Sequence, residues 1–312
     1  MRKLKLFAAA LLVTAGLFSS CTKNNDNIDP NANANITALV SANANLSLLR
    51  AAVVRAGLAE TLAGSGTFTV FAPDNDAFIA ADLGTVEKIN AMPVDQLRAV
   101  LLYHVLGQQY TAASIAAGTT EVTTVNTAKA YVVKNGSAVS INGAVVKQAD
   151  IQASNGIVHI INKVIMPPSA NIVAMAQGNT NLTFLVAAIV RASTGSTNVA
   201  QVLSGNGPYT VFAPTNAAFI KAGFSSIASI QTADPNTLAS ILTYHVIAAR
   251  VLSSNLTEGA EPTTLNGAKV KITLSGGAKV KGNSNTTAAN ITATDMVATN
   301  GVVHLIDDVL KP

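Results

Sequence analysis

The sequence predicts an α+β chain built as two tandem copies of one domain. Its length of 312 residues suits roughly two domains of about 100–200 residues, each with its own core. Its composition, 49% apolar against 12% charged, is too hydrophobic for a disordered chain. The third observation is self-similarity. Phe68-Thr-Val-Phe-Ala-Pro-Asp-Asn-Asp-Ala-Phe78 returns as Tyr209-Thr-Val-Phe-Ala-Pro-Thr-Asn-Ala-Ala-Phe219, with eight of eleven positions identical. Tyr103-His104-Val105 returns as Tyr244-His245-Val246 at the same offset of 141. Asn155-Gly156-Ile157-Val158-His159 returns as Asn300-Gly301-Val302-Val303-His304 at an offset of 145. Upstream, Asn45-Leu46 and Arg55 match Asn181-Leu182 and Arg191 at 136. Blocks kept in order, with small insertions between them, mean a duplicated domain. A period near 140 is too long for a solenoid repeat.

The chain opens on Met1-Arg2-Lys3-Leu4-Lys5, followed by an apolar run from Leu6 to Phe18. That run falls short of the roughly 20 residues a spanning helix needs, and its basic start and small-residue end fit an export signal. The single cysteine, Cys21, directly follows Leu17-Phe18-Ser19-Ser20. This resembles the bacterial lipobox, in which the thiol becomes the point of lipid attachment; Phe18 departs from the commoner Leu. Acyl chains on Cys21 would hold the protein on a membrane. One cysteine also excludes an internal disulfide and any cysteine-built zinc site. Residues 22–34 are Asn-rich, polar and Pro-interrupted, as a flexible spacer would be. The expected organisation is a lipoprotein signal peptide over 1–20, a polar linker over 21–35, and domains over 36–168 and 169–312, divided at Met166-Pro167-Pro168-Ser169. The net charge of +4 belongs mostly to the signal, because Arg2, Lys3 and Lys5 leave with it. No Lys/Arg run or basic-aromatic stripe remains, so nucleic acid is not an expected partner.

Within the first copy, Leu46, Leu49, Val53 and Ala56 recur at helical spacing, as Leu182, Leu185, Ile189 and Ala192 do in the second. Gly64-Ser65-Gly66 and Gly205-Asn206-Gly207 turn into the Thr-Val-Phe strand. Asp74 and Thr215 follow the Pro that ends it and predict N-caps for the next short helix. Leu97, Val100, Leu101 and His104 follow an i, i+3, i+4, i+7 pattern that Leu238, Ile241, Leu242 and His245 reproduce. The second half of each copy alternates Val, Thr and Ile between turn dipeptides at Asn135-Gly136, Asn142-Gly143, Asn266-Gly267 and Gly276-Gly277. These predict antiparallel hairpins.

Three blocks twice over resemble the fasciclin-like (FAS1) domain family: TVFAPxNxAF, the Tyr-His pair at a helix end, and the terminal Asn-Gly-Val-Val-His-Leu-Ile strand. The resemblance covers about Ile36 to Pro312. It implies an antiparallel β-wedge carrying a cluster of helices, placement outside the cell, and adhesion or matrix and glycan contact instead of catalysis. It also implicates the Tyr-His pair in adhesion, making Tyr103, His104, Tyr244 and His245 the adhesion candidates, either as surface groups or as buried groups that hold the domain's shape. The function expected is a lipid-anchored surface adhesion or protein-interaction protein of the outer membrane. Its partner would be a cell-surface or matrix protein or glycan, and the side of the membrane it faces stays open. The alternative is an envelope polysaccharide-binding protein, which no Trp and only five Tyr disfavour; its aromatic platform would come from Tyr110, Tyr131 or Tyr209.

No enzymatic chemistry, metal or cofactor is expected. No two of the four His residues stand at i+3 or i+4. His159 and His304 alternate with Ile and Val on a strand, which suits a hydrogen-bonded core imidazole. Asp74 and Asp76 look like paired carboxylates until Thr215 and Ala217 replace them in the second copy. Asn75 and Asn216 persist in both, as turn or cap residues. Asp307-Asp308 replaces Asn162-Lys163 and is expected to face solvent. No Gly-x-Ser-x-Gly elbow or nucleotide-binding Gly pattern occurs. The Asn-x-Ser/Thr sequons, such as those at Asn35, Asn45 and Asn181, would go unused in a bacterial lipoprotein.

Overall fold

A computed structural model describes residues 34–312; the expected signal peptide, Cys21 and most of the linker lie outside the described residues. Helices α1 (Ile36–Ala42), α2 (Ser47–Arg55) and α3 (Ala59–Ala63) precede strand β1 (Phe68–Pro73). After it come α4 (Asn75–Ala80), α5 (Val86–Ala91) and α6 (Val94–Tyr103). Strands β2 (Val105–Leu106), β3 (Gly118–Thr123), β4 (Lys129–Asn135), β5 (Ala138–Ile141), β6 (Ala144–Ala153) and β7 (Gly156–Ile161) complete the first copy. The second repeats the order. Helices α7 (Ile172–Gln177), α8 (Thr183–Ala192) and α9 (Val199–Ser204) lead to β8 (Tyr209–Pro214), and α10 (Asn216–Lys221), α11 (Ile227–Gln231) and α12 (Pro235–Tyr244) follow it. The remaining strands are β9 (Val246–Ile247), β10 (Lys271–Thr273), β11 (Lys279–Lys281), β12 (Ala289–Ala298) and β13 (Gly301–Ile306).

The helices begin where short polar side chains can take an orphan N–H. Asp74 accepts from Ala77 N at 2.8 Å and Thr215 from Ala218 N at 3.3 Å, so both are the caps their spacing predicts. Asn35 and Asn171 cap α1 and α7 in the same way. Pro235 opens α12, where its missing N–H costs nothing, and Asp234 caps it.

Each sheet departs from an all-antiparallel one at a single place. The strand order is β2-β1-β7-β6-β5-β4-β3 in the first copy and β10-β11-β12-β13-β8-β9 in the second. Neighbours are antiparallel except β1 with β7 and β8 with β13, which run parallel. These are the strands whose sequences are nearly continuous apolar runs, and β7 and β13 are buried along their whole length. Helices cover one face and the interior of the curled sheet covers the other, the condition that parallel pairing requires. Gly156 and Gly301 permit the pairing, since a Cβ on either would stand 2.1 or 2.2 Å from the carbonyl oxygen of Phe68 or Tyr209. The first sheet curls far enough for Leu106 of β2 to bridge Thr124, just past β3 at the opposite edge.

Each copy therefore has two cores. One lies between the helices and the central strands, with Leu49, Val53, Phe78, Leu97 and Val158 in the first copy and Leu185, Ile189, Phe219, Leu238 and Val303 in the second. The other fills the curl around Phe71 and Tyr103, or Phe212 and Tyr244. Asp308 corrects the expectation that it faces solvent. It is buried, and its carboxylate accepts from Lys221 Nζ at 2.7 Å and from Val309 N at 2.9 Å. The Lys that partners it comes from α10, far away in sequence.

Candidate functional site

Helix α6 ends on Tyr103 and His104 because its apolar face, Leu97-Val100-Leu101, carries the chain down into the curl of the sheet. Tyr103 is fully buried there. Its hydroxyl donates to Lys129 O at 2.8 Å and accepts from Asn142 Nδ2 at 2.7 Å. Burial pushes the phenol up to about 12, against the bond from Asn142. Tyr244 is equally buried; it donates to Lys269 O at 2.6 Å and accepts from Asn283 N at 3.0 Å.

The adjacent imidazoles are sealed as well. His104 Nδ1 donates to Val100 O at 2.7 Å, and Nε2 accepts from Ile165 N at 3.0 Å. His245 does the same with Ile241 O at 2.8 Å and Leu310 N at 2.8 Å. An accepting Nε2 and a donating Nδ1 define a neutral ring. Burial drives both rings down to about 4, more strongly than the helix carbonyls raise them. Each ring ties the end of the long helix to the segment that leaves the last strand.

The second pair of histidines uses the opposite tautomer. His159 Nε2 donates to Tyr110 O at 2.8 Å while Nδ1 accepts from Asp150 N at 3.1 Å. His304 Nε2 donates to Val251 O at 2.9 Å, and Nδ1 accepts from Asp295 N at 3.2 Å. Burial lowers both of these rings too. Each lies against the Phe of the neighbouring parallel strand, Phe71 or Phe212. With both nitrogens of all four rings occupied by backbone groups, these side chains do mechanical work. They cross-link elements that local propensity alone would leave apart.

Asn75 and Asn216 sit one residue past the caps and reach across to another helix. Asn75 Oδ1 accepts from Leu48 N at 3.0 Å and its amide donates to Ala44 O at 3.1 Å, closing the start of α2. Asn216 accepts from Phe184 N at 3.0 Å and donates to Thr180 O at 2.9 Å. Their role is a bridge between helices, broader than the turn or cap duty expected.

Residues that sequence reasoning passed over do as much. Asn155 Oδ1 accepts from Ile36 N at 3.0 Å, and its amide donates to Leu62 O and Gly64 O, both at 2.8 Å. Asn300 repeats the clamp on Ile172 N, Leu203 O and Gly205 O. Their recurrence in the Asn-Gly blocks was the available signal. Thr69 Oγ1 donates to Gln108 O and accepts from Tyr110 N, as Thr210 Oγ1 does with Ala249 O and Val251 N.

The two copies meet along the outer face of β4. Arg250 lays its guanidinium 4.2 Å from the Tyr131 ring centre and donates to Gly301 O at 2.5 Å. Beside it Val133 packs with Leu252, Val297 and Val302. Asn135 Nδ2 donates to Ser254 O at 2.5 Å, Asn255 Nδ2 to Thr119 Oγ1 at 3.1 Å, and Lys163 Nζ to Thr294 O at 2.8 Å. Burial lowers the Lys163 amine, with the nearby Asp295 carboxylate acting against that. Tyr131 thus serves the junction between copies, while Tyr110 and Tyr209 are half-buried; none of the three stands out as an aromatic platform.

The Fasciclin domain family model matches residues 44–167 and 181–312. Protein sll1483 of Synechocystis sp. is 44% identical over 136 residues, covering 43% of this chain and 73% of that protein. Transforming growth factor-beta-induced protein ig-h3 of Sus scrofa is 29% identical over 251 residues, covering 80% of this chain. This chain spans only 35% of that relative's length. Among solved structures, a FAS1 domain pair from the insect cell adhesion molecule fasciclin I aligns at 19% identity and a TM-score of 0.41, covering 85% of this chain and 96% of that one.

Proposed function

The chain belongs to the fasciclin domain family, and from that premise we propose that it is a non-enzymatic adhesion or protein-interaction protein, tethered to the outer membrane through lipid on Cys21. The observation that carries this reading is the duplication of a hydrogen-bonded scaffold whose distinctive polar residues are consumed internally. Tyr103, His104, Tyr244 and His245 support contact indirectly, by holding the end of the long helix against the curled sheet, because none of them reaches the surface. A domain held this way offers a shaped outer surface to a partner. The stacked and hydrogen-bonded junction presents two such surfaces in fixed relation, which favours multivalent contact. The polar spacer after Cys21 would give the pair reach from the lipid.

Anchoring and contact are tested separately. Cys21→Ser is expected to abolish palmitate labelling and move the protein out of the membrane fraction; labelling that survives the change refutes the lipoprotein reading. A pull-down of envelope and matrix proteins with residues 36–312 is expected to recover a protein partner, and recovery of none refutes the adhesion reading.

A further inference from the structure

The outer face of the β10–β11 hairpin differs in charge from the matching face of the first domain. Ile272 and Val280 form a cross-strand pair with both side chains buried. Because successive strand residues alternate faces, Lys271, Thr273, Lys279 and Lys281 project outward together. Lys271 lies directly opposite Lys281, and Thr273 opposite Lys279. Lys269 precedes buried Val270 and extends the row. Opposed residues stand about 5 Å apart and alternate residues along a strand about 7 Å apart, so the four lysines rise from a compact grid of positions on one face, with the Lys279 ammonium leaning toward Gly276 at the hairpin tip.

Like charges directly opposite one another weaken a sheet, so this hairpin carries its lysines at a cost to its own stability. Among the described residues none of the four lies within ion-pair distance of a carboxylate; the ion-paired lysines are Lys88, Lys129, Lys147 and Lys221. One carboxylate shares the face. Glu261 is brought opposite Lys271 by the bonds from Val270 N to Pro262 O and from Ile272 N to Ala260 O. Glu258 is engaged at the hairpin tip, accepting from Leu274 N at 2.5 Å and Ser275 N at 3.1 Å.

In the first copy the corresponding face is covered. Val133 opposite Ser140 takes the place of Thr273 opposite Lys279, and Tyr131 takes the place of Lys271. There Lys129, the counterpart of Lys269, is ion-paired with Glu121, and the face docks on the second domain through Val133 and the Tyr131–Arg250 stack. The same surface recurs in both copies, covered by the other domain in the first and lined with lysines in the second.

We infer that the β10–β11 face binds an acidic polysaccharide, a polymer bearing carboxylate or sulfate groups on its sugars. Lysine ammoniums are compact, hydrated point charges suited to a repeating anion. The grid runs along the hairpin, so a linear polyanion lying along it meets several lysines at once. No aromatic side chain stands among the four lysines to stack a nucleobase, unlike the platforms that bind single strands. Leu274 is the large apolar side chain exposed at the hairpin tip, too little apolar area to seat a bilayer surface. This inference goes beyond the adhesion reading and does not depend on it.

The test uses the full chain with polygalacturonate and dextran sulfate as probes and uncharged dextran as the control. Binding to at least one charged polymer is expected at low salt, weakening as salt screens the charges, with none to dextran. K271Q/K281Q is expected to weaken binding roughly tenfold or more, as removal of charges from a steering patch predicts, at an unchanged or slightly raised melting temperature, since it relieves the repulsion between the opposed lysines. Lys88→Gln, on α5 of the first domain, is expected to leave binding unchanged. Binding to neither charged polymer overturns the inference, as does equal binding by K271Q/K281Q. Tighter binding to phosphatidylglycerol vesicles or to single-stranded DNA also overturns it and reassigns the face.

Discussion

In the first domain the outward residues of β4 are Tyr131 and Val133, pressed against Arg250, Leu252, Val297 and Val302. In the second, the matching strand turns Lys271 and Thr273 outward, with Lys271 exposed and Thr273 half-buried. Inside, the domains scarcely differ: His104 and His245 bond the same turn of the same helix, and Asn155 and Asn300 hold the same three backbone groups. The contrast teaches where each kind of constraint acts. A buried polar side chain must satisfy several partners at once, so changing it strands them all. An outward strand position answers only to whatever covers it. The interior therefore stayed constant through duplication, and one copy's surface became a junction while the other's became a charged face.

The sharpest way to break the comparison is at the asparagine clamps. Asn155→Ala and Asn300→Ala each leave one buried N–H and two carbonyls without partners, at a cost of about 4 kcal/mol. Chemical denaturation should return equal losses; a loss confined to one domain would show that the clamps are not equivalent. Next comes pH. His104 and His245 titrate near 6.5 when unfolded and at about 4 when folded. The unfolded chain thus takes up protons first as the solution is acidified. Their stabilisation is complete above about pH 6.5 and is lost between there and about pH 4, amounting to roughly 3 kcal/mol for each ring. Unfolding free energies measured across that window should fall in both domains, and a flat profile would contradict the buried neutral rings. The smallest effect separates the outer faces. Tyr131→Ala should cost about 2 kcal/mol by removing the stack and its burial and split one calorimetric transition into two. Lys271→Ala at the matching position should change stability by less than about 0.5 kcal/mol.

Much of this architecture was legible in the residues. The helix caps at Asp74 and Thr215 and the hairpin turns at Asn135-Gly136 and Gly276-Gly277 depend on neighbours within a few positions, and they form as their spacing predicts. The parallel pairing of β1 with β7 was hidden, because it joins residues such as Phe71 and His159 that are far apart in sequence. Asp308 was misjudged for the same reason: its partner Lys221 lies 87 residues away. Asn75 was expected in turn or cap duty, yet it opens α4 beside the cap, and its bridge to Leu48 crosses 27 residues and leaves no local trace.

Repetition by itself determined that this chain is two copies of one α+β domain, and it marked His159 and Tyr103 with their counterparts as positions that matter to both. Composition and spacing reach no further, because they record which side chains are present and how far apart along the chain. Tertiary structure decided what those side chains touch. It turned the Tyr-His pairs inward, spent every imidazole nitrogen on a backbone group, half-buried Tyr131 under Arg250 and left Lys271 exposed beside a half-buried Lys281. The physical reason is that exposure belongs to the folded surface: two strands with the same alternation present the same face, and only the neighbour that covers it, or fails to, sets what that face can do.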